Sequence, residues 1–207
     1  MTISYIQNWA AAKGYKFTQD WFSLNIPVWQ QFILPRFVNQ PINAIEIGSW
    51  EGLSACWMLD NFLTHPESHL TCIDTFQGSY EHHLFFTETL LTIGDIFNHN
   101  ITCSGAAHKL TVLVGNSREK LRSLPLNSYN FIYIDGSHLS CDVLLDACLS
   151  WDLMQVGALI VFDDYTFVTG MLDQDTATGI NYFLTCFGRK LRVLHHDRQV
   201  IVEKLSP

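Results

Sequence analysis

The residues best suited to chemistry stand at the ends of apolar runs. FIYI (131–134) leads straight into Asp135, and ALIVF (158–162) leads straight into Asp163 and Asp164. His138 follows Asp135 by three residues. If the two runs are parallel neighbours in one sheet, their carboxyl ends lie side by side at the edge where open α/β sheets bind ligands. Carboxylates gathered in one place raise each other's pKa unless a cation or a proton sits between them. The pattern points to a small oxygen-ligated metal site beside an imidazole that titrates near neutrality and can act as a base. Plainer readings stand beside this one. Asp163-Asp164 is also an ordinary strand-end turn, and His138 is also a cap for a helix starting near Leu139.

A second group lies in AIEIGSWEGLSACWML (44–59), which reads as a strand, a glycine turn and a helix. Gly48 allows a sharp turn out of the strand, and Gly52 lets the helix start close to a ligand. The helix N-terminus offers unpaired N–H groups and positive dipole to a carboxylate or phosphate. The spacing is G-x-x-x-G, not the G-x-G-x-x-G of dinucleotide folds. Asp74 closes the next strand, LTCID, at the distance where an acid meets a ribose hydroxyl pair; capping a turn is its plainer role. Gly115-Asn116-Ser117 follows a third strand and serves as a helix N-cap, as a face for adenine, or as both.

These residues need a frame. Apolar runs predict strands near 43–47, 69–74, 110–114, 129–134 and 157–162. Amphipathic segments predict helices near 52–63, 85–98, 117–124, 139–153 and 176–187. Repeated alternation of strand and helix indicates a doubly wound, mainly parallel α/β sheet. LRVLHHDRQVIVEK adds an antiparallel C-terminal hairpin (191–196 and 199–204) turning through Asp197-Arg198, for seven strands in all. Adjacent strand residues face opposite sides, so His195 and His196 are a poor chelate. Val143, Trp151 and Leu153 read as core. Residues 76–87 (FQGSYEHHLFFT) form an irregular insertion and a candidate lid, with His82 and His83 read as solvated loop residues or, alternatively, as substrate contacts of that lid. Residues 1–42 are a helical extension rich in aromatics, with Pro27 opening a helix that runs through Val38. That extension is a substrate cover or an oligomer contact, and the sequence does not separate the two.

The 207 residues suit one domain spanning 1–207, with a core from 43 onward. A net charge of −8 and only twelve basic residues argue against nucleic acid as partner. Six scattered cysteines without a C-x-x-C pair fit a reducing compartment. Neither a leader pattern nor an apolar run long enough for a membrane span is evident, so a cytoplasmic location is expected.

Taken together, E46-x-G48-x-x-x-G52, Asp74, G115-N-S, IDGSH and VGALIVFDDY resemble a class I S-adenosylmethionine-dependent methyltransferase with a Rossmann-like sheet. The D-G-S-H and D-D-Y pair is most similar to small-molecule O-methyltransferases of the macrocin and cephalosporin-hydroxylase type. The resemblance covers about residues 43–204. It implies S-adenosylmethionine as cofactor, with its methionine part near Glu46, Gly48, Ser49 and Glu51, and with Trp50 and Ser54 in the same turn. It places the ribose on Asp74, the adenine near Asn116 and Ser117, and Asp135 against the cofactor. It further implies a divalent cation, usually magnesium, on Asp135, Asp163 and Asp164, with His138 as base and a small-molecule acceptor. Ala158 departs from the pattern, where a second glycine commonly follows Gly157. Two rivals from other classes are a nicotinamide-dependent oxidoreductase and a non-catalytic S-adenosylmethionine-binding protein. The missing G-x-G-x-x-G counts against the first, and the complete acid set against the second.

Overall fold

A computed structural model describes residues 3–168 and 175–207. Seven strands form one sheet in the order β3-β2-β1-β4-β5-β7-β6. They are β1 (Asn43–Ile47), β2 (His69–Asp74), β3 (Leu110–Val114), β4 (Tyr129–Ile134), β5 (Met154–Phe162), β6 (Leu191–His196) and β7 (Val200–Lys204). The first five run parallel, and β7 lies antiparallel between β5 and β6. The mainly parallel sheet and closing hairpin are as expected. Strand order reverses between β1 and β4, which opens a crevice at their carboxyl ends.

Side chains alternate across the sheet, as a period of two requires. On β4, Phe131 and Tyr133 enter one apolar core while Ile132 and Ile134 enter the other. On β5, Leu159 and Val161 join the first, and Ala158, Ile160 and Phe162 the second. The second core is closed by α8 (Ser140–Leu153) and α9 (Thr176–Phe187), which bury Trp151 and Phe183. The first is covered by α3 (Leu53–Asn61), α6 (Ile93–Ser104) and the N-terminal segment. Val143, Trp151 and Leu153 are core residues, as predicted. All six cysteines are free.

The N-terminal segment differs in detail from its expected form. Helix α1 (Ile3–Lys13) was not anticipated, and α2 (Ile26–Phe32) stops well short of Val38. Pro35 explains the early stop, because its ring lacks an N–H and clashes with the preceding turn. The chain continues as a 3-10 turn over Leu34–Arg36. Trp29 on α2 is fully buried, and its indole N–H donates to Gln199 Oε1 at 2.9 Å. Truncating such a side chain costs about 3–5 kcal/mol, so α2 is built into the core.

The helix expected over 85–98 is three: α4 (Tyr80–Phe85), α5 (Thr87–Leu90) and α6. The insertion at 76–87 is therefore partly helical, with α4 opened by a capping box between Ser79 and His82. Between Leu110–Val114 and β4, α7 covers only Ser117–Leu121. Among the described residues, no helix is long and apolar enough to cross a membrane.

Candidate active site

At the carboxyl ends of β1, β2, β4 and β5 lies a cavity of about 900 Å³, a volume typical of ligand sites. Gly48, Ser49, Trp50, Glu51, Ser54, Asp74, Asn116, Ser117, Asp135, His138, Asp163 and Asp164 line it, and Glu46 and Gly52 do not. The turn after β1 forms its floor. Gly48 sits at φ +83°, and a Cβ there would lie 2.0 Å from the carbonyl oxygen of Asp135. Only glycine lets the β1 turn approach the end of β4 so closely. Gly52, at φ +82°, caps the N-terminus of α3.

Two carboxylates hold this turn. Asp74 Oδ2 accepts the backbone N–H groups of Ser49 at 2.6 Å and Trp50 at 2.9 Å. Its Oδ1 accepts that of Phe76 at 2.7 Å. Trp50 is held at φ +48°, a region bulky residues seldom adopt. The Asp74 bonds offset that strain while leaving part of Oδ1 free to accept. Glu46 lies beneath the turn, fully buried, with its oxygens accepting Ser49 Oγ at 2.6 Å and Ser54 Oγ at 2.5 Å. Burial pushes its pKa up to about 7, against the lowering pull of the two hydroxyls. Glu46 thus positions the turn from below rather than facing the cavity.

Glu51 borders the cavity, but its carboxylate is engaged by the N-terminal segment. That carboxylate accepts both the backbone N–H and the hydroxyl of Thr18, each at 2.7 Å, and so ties the N-terminal segment to the turn after β1. At the far end, Asn116 caps α7 through a bond from the Arg118 N–H at 2.9 Å. Ser117 lines the cavity beside Asp146, whose pKa burial raises to about 6.

The acid cluster comes from β4 and β5, whose paired register ends with Ile134 beside Phe162. Asp135, His138 and Asp164 each bring a donor atom within 4.8 Å of the others. His138 Nε2 and Asp164 Oδ2 are 3.2 Å apart. Asp163 stands differently from its place in the expected trio. Its Oδ2 takes bonds from Asn25 Nδ2 at 2.8 Å, Gln199 Nε2 at 3.1 Å and the Tyr133 hydroxyl, and its Oδ1 takes the Asp164 N–H at 2.8 Å. With its oxygens so engaged, Asp163 stands behind the three groups whose donor atoms converge.

The donor set fits a divalent cation. Burial, then the neighbouring Asp163 and Asp164, raise the Asp135 pKa well above the usual carboxylate range. Burial and Asp164 raise that of Asp163. The Tyr133 hydroxyl touches both Asp135 and Asp163 yet has one proton to give. Acceptors outnumber donors here, and a cation at Asp135 and Asp164 would offset the excess. Two carboxylates, an imidazole and open positions toward a cavity are the ligand types such a cation uses.

Several lining residues carry no sequence motif. Trp21 and Phe86 form an aromatic wall with Trp50 and His82, and Phe167 packs on His138 with ring centroids 4.3 Å apart. Arg198 arrives from the turn between β6 and β7. The density of aromatics in residues 9–37 and the candidate lid at 76–87 hinted at the wall.

A family of methyltransferase domains matches residues 45–165, more than half of the chain, and the protein belongs to that family. Solved structures with the same fold include the O-methyltransferase TomG from Streptomyces achromogenes, in complex with S-adenosylmethionine. It is 15% identical with a TM-score of 0.67, over 100% of this chain and 92% of that one. The O-methyltransferase from Bacillus cereus, in complex with S-adenosylhomocysteine, is 16% identical with a TM-score of 0.65, over 98% and 90%. MycE of the mycinamycin biosynthetic pathway, in complex with magnesium and S-adenosylhomocysteine, is 12% identical with a TM-score of 0.61, over 97% and 54%. No curated protein matches the chain.

Proposed function

We propose that the protein transfers the methyl group of S-adenosylmethionine to a hydroxyl oxygen of a small molecule. The observation that carries this reading is the meeting of glycine turn, Asp74 and acid cluster in one cavity. The structural neighbours TomG and the Bacillus cereus enzyme, O-methyltransferases with the cofactor or its product bound, support it. When bound, the sulfonium supplies an electrophilic methyl group: the O–CH₃ bond forms as the S–CH₃ bond breaks, and S-adenosylhomocysteine leaves.

The chain's own work is placement and proton removal. Gly48, Ser49 and Trp50 shape the floor for the amino-acid end of the cofactor, with Ser54 and Glu46 bracing it from below. Asp74 accepts from the ribose, and Asn116 and Ser117 border the adenine. His138, oriented by Asp164 and packed on Phe167, takes the hydroxyl proton. Asp135 and Asp164 would hold a divalent cation, of which magnesium is one candidate, with Asp163 behind them. Bound there, the cation would lower the acceptor hydroxyl's pKa and fix its direction. MycE, whose structure contains magnesium, supports this assignment.

The test is incubation with S-adenosylmethionine carrying an isotope-labelled methyl group and a panel of phenols, diols and glycosides. The reading expects a labelled methyl ether and an equal amount of S-adenosylhomocysteine. Retention of all label on the cofactor, with tight binding of NADH instead, would overturn it in favour of an oxidoreductase.

A further inference from the structure

The acceptor half of the cavity has a character of its own. The same cavity that holds Asp135 and Asp164 is lined by rings from three separate segments. Trp21 comes from the N-terminal extension, Trp50 from the cofactor turn, and His82 and Phe86 from the insertion. Trp21 lies 5.5 Å from Trp50, 5.5 Å from His82 and 5.4 Å from Phe86, centroid to centroid. Even so, Trp21 keeps 42% of its surface exposed, and Leu84 on the same lining keeps 52%. Exposed apolar surface gathered inside a cavity marks a place for an apolar ligand. A flat ring would cover it without loss. A polyol pressed there would leave hydroxyl groups unpaired, which is costly.

Arg198 adds a charge to that half. Its backbone carbonyl accepts the N–H of Tyr165, directly after Asp164, at 2.8 Å. Its guanidinium reaches the Trp21 carbonyl at 3.5 Å, the outer limit of a hydrogen bond. Arg198 is therefore tied on one side to the aromatic wall and on the other to the acid strand end. Arg118, the other arginine on the lining, is paired with Asp142. Among the described residues no carboxylate pairs with Arg198, although acids dominate both this cavity and the chain. A guanidinium offers a planar fork of donors matched to a carboxylate.

We propose that the methyl acceptor is a flat aromatic compound bearing both a hydroxyl group and a carboxylate. Its ring lies against Trp21 and Phe86, its carboxylate on Arg198, and its hydroxyl faces the Asp135–His138–Asp164 cluster. The proposal rests on the methyltransferase reading, and it names the substrate class for that same site.

Equilibrium binding tests it without depending on turnover. The protein is first titrated with S-adenosylhomocysteine by calorimetry, with magnesium present. The saturated complex is then titrated with 3,4-dihydroxybenzoate, catechol and methyl glucoside. The dihydroxybenzoate is expected to bind about tenfold tighter than catechol or better, the span of a charge-assisted hydrogen bond, and the glucoside weakest of all. Arg198→Gln should bring the acid-to-catechol ratio close to one, and Arg198→Lys should leave it in between. Trp21→Ala should weaken both aromatic ligands. Circular dichroism confirms that each variant is folded. Three outcomes would overturn the proposal: a ratio untouched by Arg198→Gln, a preference for the glucoside, or no binding of any of the three to a complex that has taken up S-adenosylhomocysteine. Failure of S-adenosylhomocysteine itself to bind strikes the methyltransferase reading instead.

Discussion

Asn25 and Asp163 are separated by 138 positions, yet Asn25 Nδ2 donates to Asp163 Oδ2 at 2.8 Å in the buried centre of the molecule. This bond makes the N-terminal extension part of the acid cluster. Asn25→Ala leaves a buried carboxylate short of a donor, a loss of about 1–3 kcal/mol. Urea denaturation should show that loss, and the metal concentration for half-maximal methyl transfer should rise. A stability change below about 0.5 kcal/mol, the level of an ordinary surface substitution, would mean that the bond does not hold the site.

Glu46 gives the fold a pH dependence with a definite sign. Its pKa is raised from 4.5 to about 7 in the folded protein, so folding favours the protonated form. Stability is fully present below pH 4.5, is lost as the pH rises, and levels off above about 7. The difference amounts to about 3 kcal/mol. Asp146, raised to about 6, acts in the same direction. Glu46→Gln should make the slope in denaturation midpoints between pH 5 and 8 shallower, the raised Asp135, Asp146 and Asp163 keeping the remainder. An equally steep slope in the variant would assign the dependence to other groups.

Asp74 serves two purposes, and its substitution should show both. Its carboxylate holds the Ser49 and Trp50 N–H groups and is the proposed ribose acceptor. In Asp74→Asn the amide nitrogen is set against those N–H groups or against the ribose. S-Adenosylhomocysteine affinity should fall at least about tenfold, as loss of charge-assisted bonds implies, and the thermal midpoint should fall with it. Lower stability with unchanged affinity would restrict Asp74 to holding the turn.

The strand-end acids were legible in the sequence because an apolar run stopping at Asp135 or Asp163 announces both the strand and its ligand-facing end. The glycine turn was legible for the same reason. Asp163's inward orientation was not, because it depends on Asn25 and Gln199, which no local pattern ties to it. Nor could spacing show that the Glu51 carboxylate is bonded to Thr18. Helix limits near Pro35 and through 80–104 were set by local breaks that apolar periodicity blurs.

His138 separates chemistry from binding. His138→Ala should lower kcat by about a hundredfold to ten-thousandfold, the span of general-base loss, with little change in S-adenosylhomocysteine affinity. Loss of affinity with turnover kept would make His138 a wall of the cofactor site. Chelation should likewise reduce turnover, and added magnesium should restore it. Full activity after exhaustive chelation would give Asp135 and Asp164 a direct role in binding substrate.

Calorimetric titration with S-adenosylhomocysteine tests the central claim most directly. The account predicts one site per chain with micromolar affinity, and no comparable heat with NADH. Gly48→Ala should abolish binding, because its Cβ would meet the Asp135 carbonyl at 2.0 Å. Absence of binding by the folded wild-type protein, or a preference for NADH, would contradict the assignment of this cavity to S-adenosylmethionine.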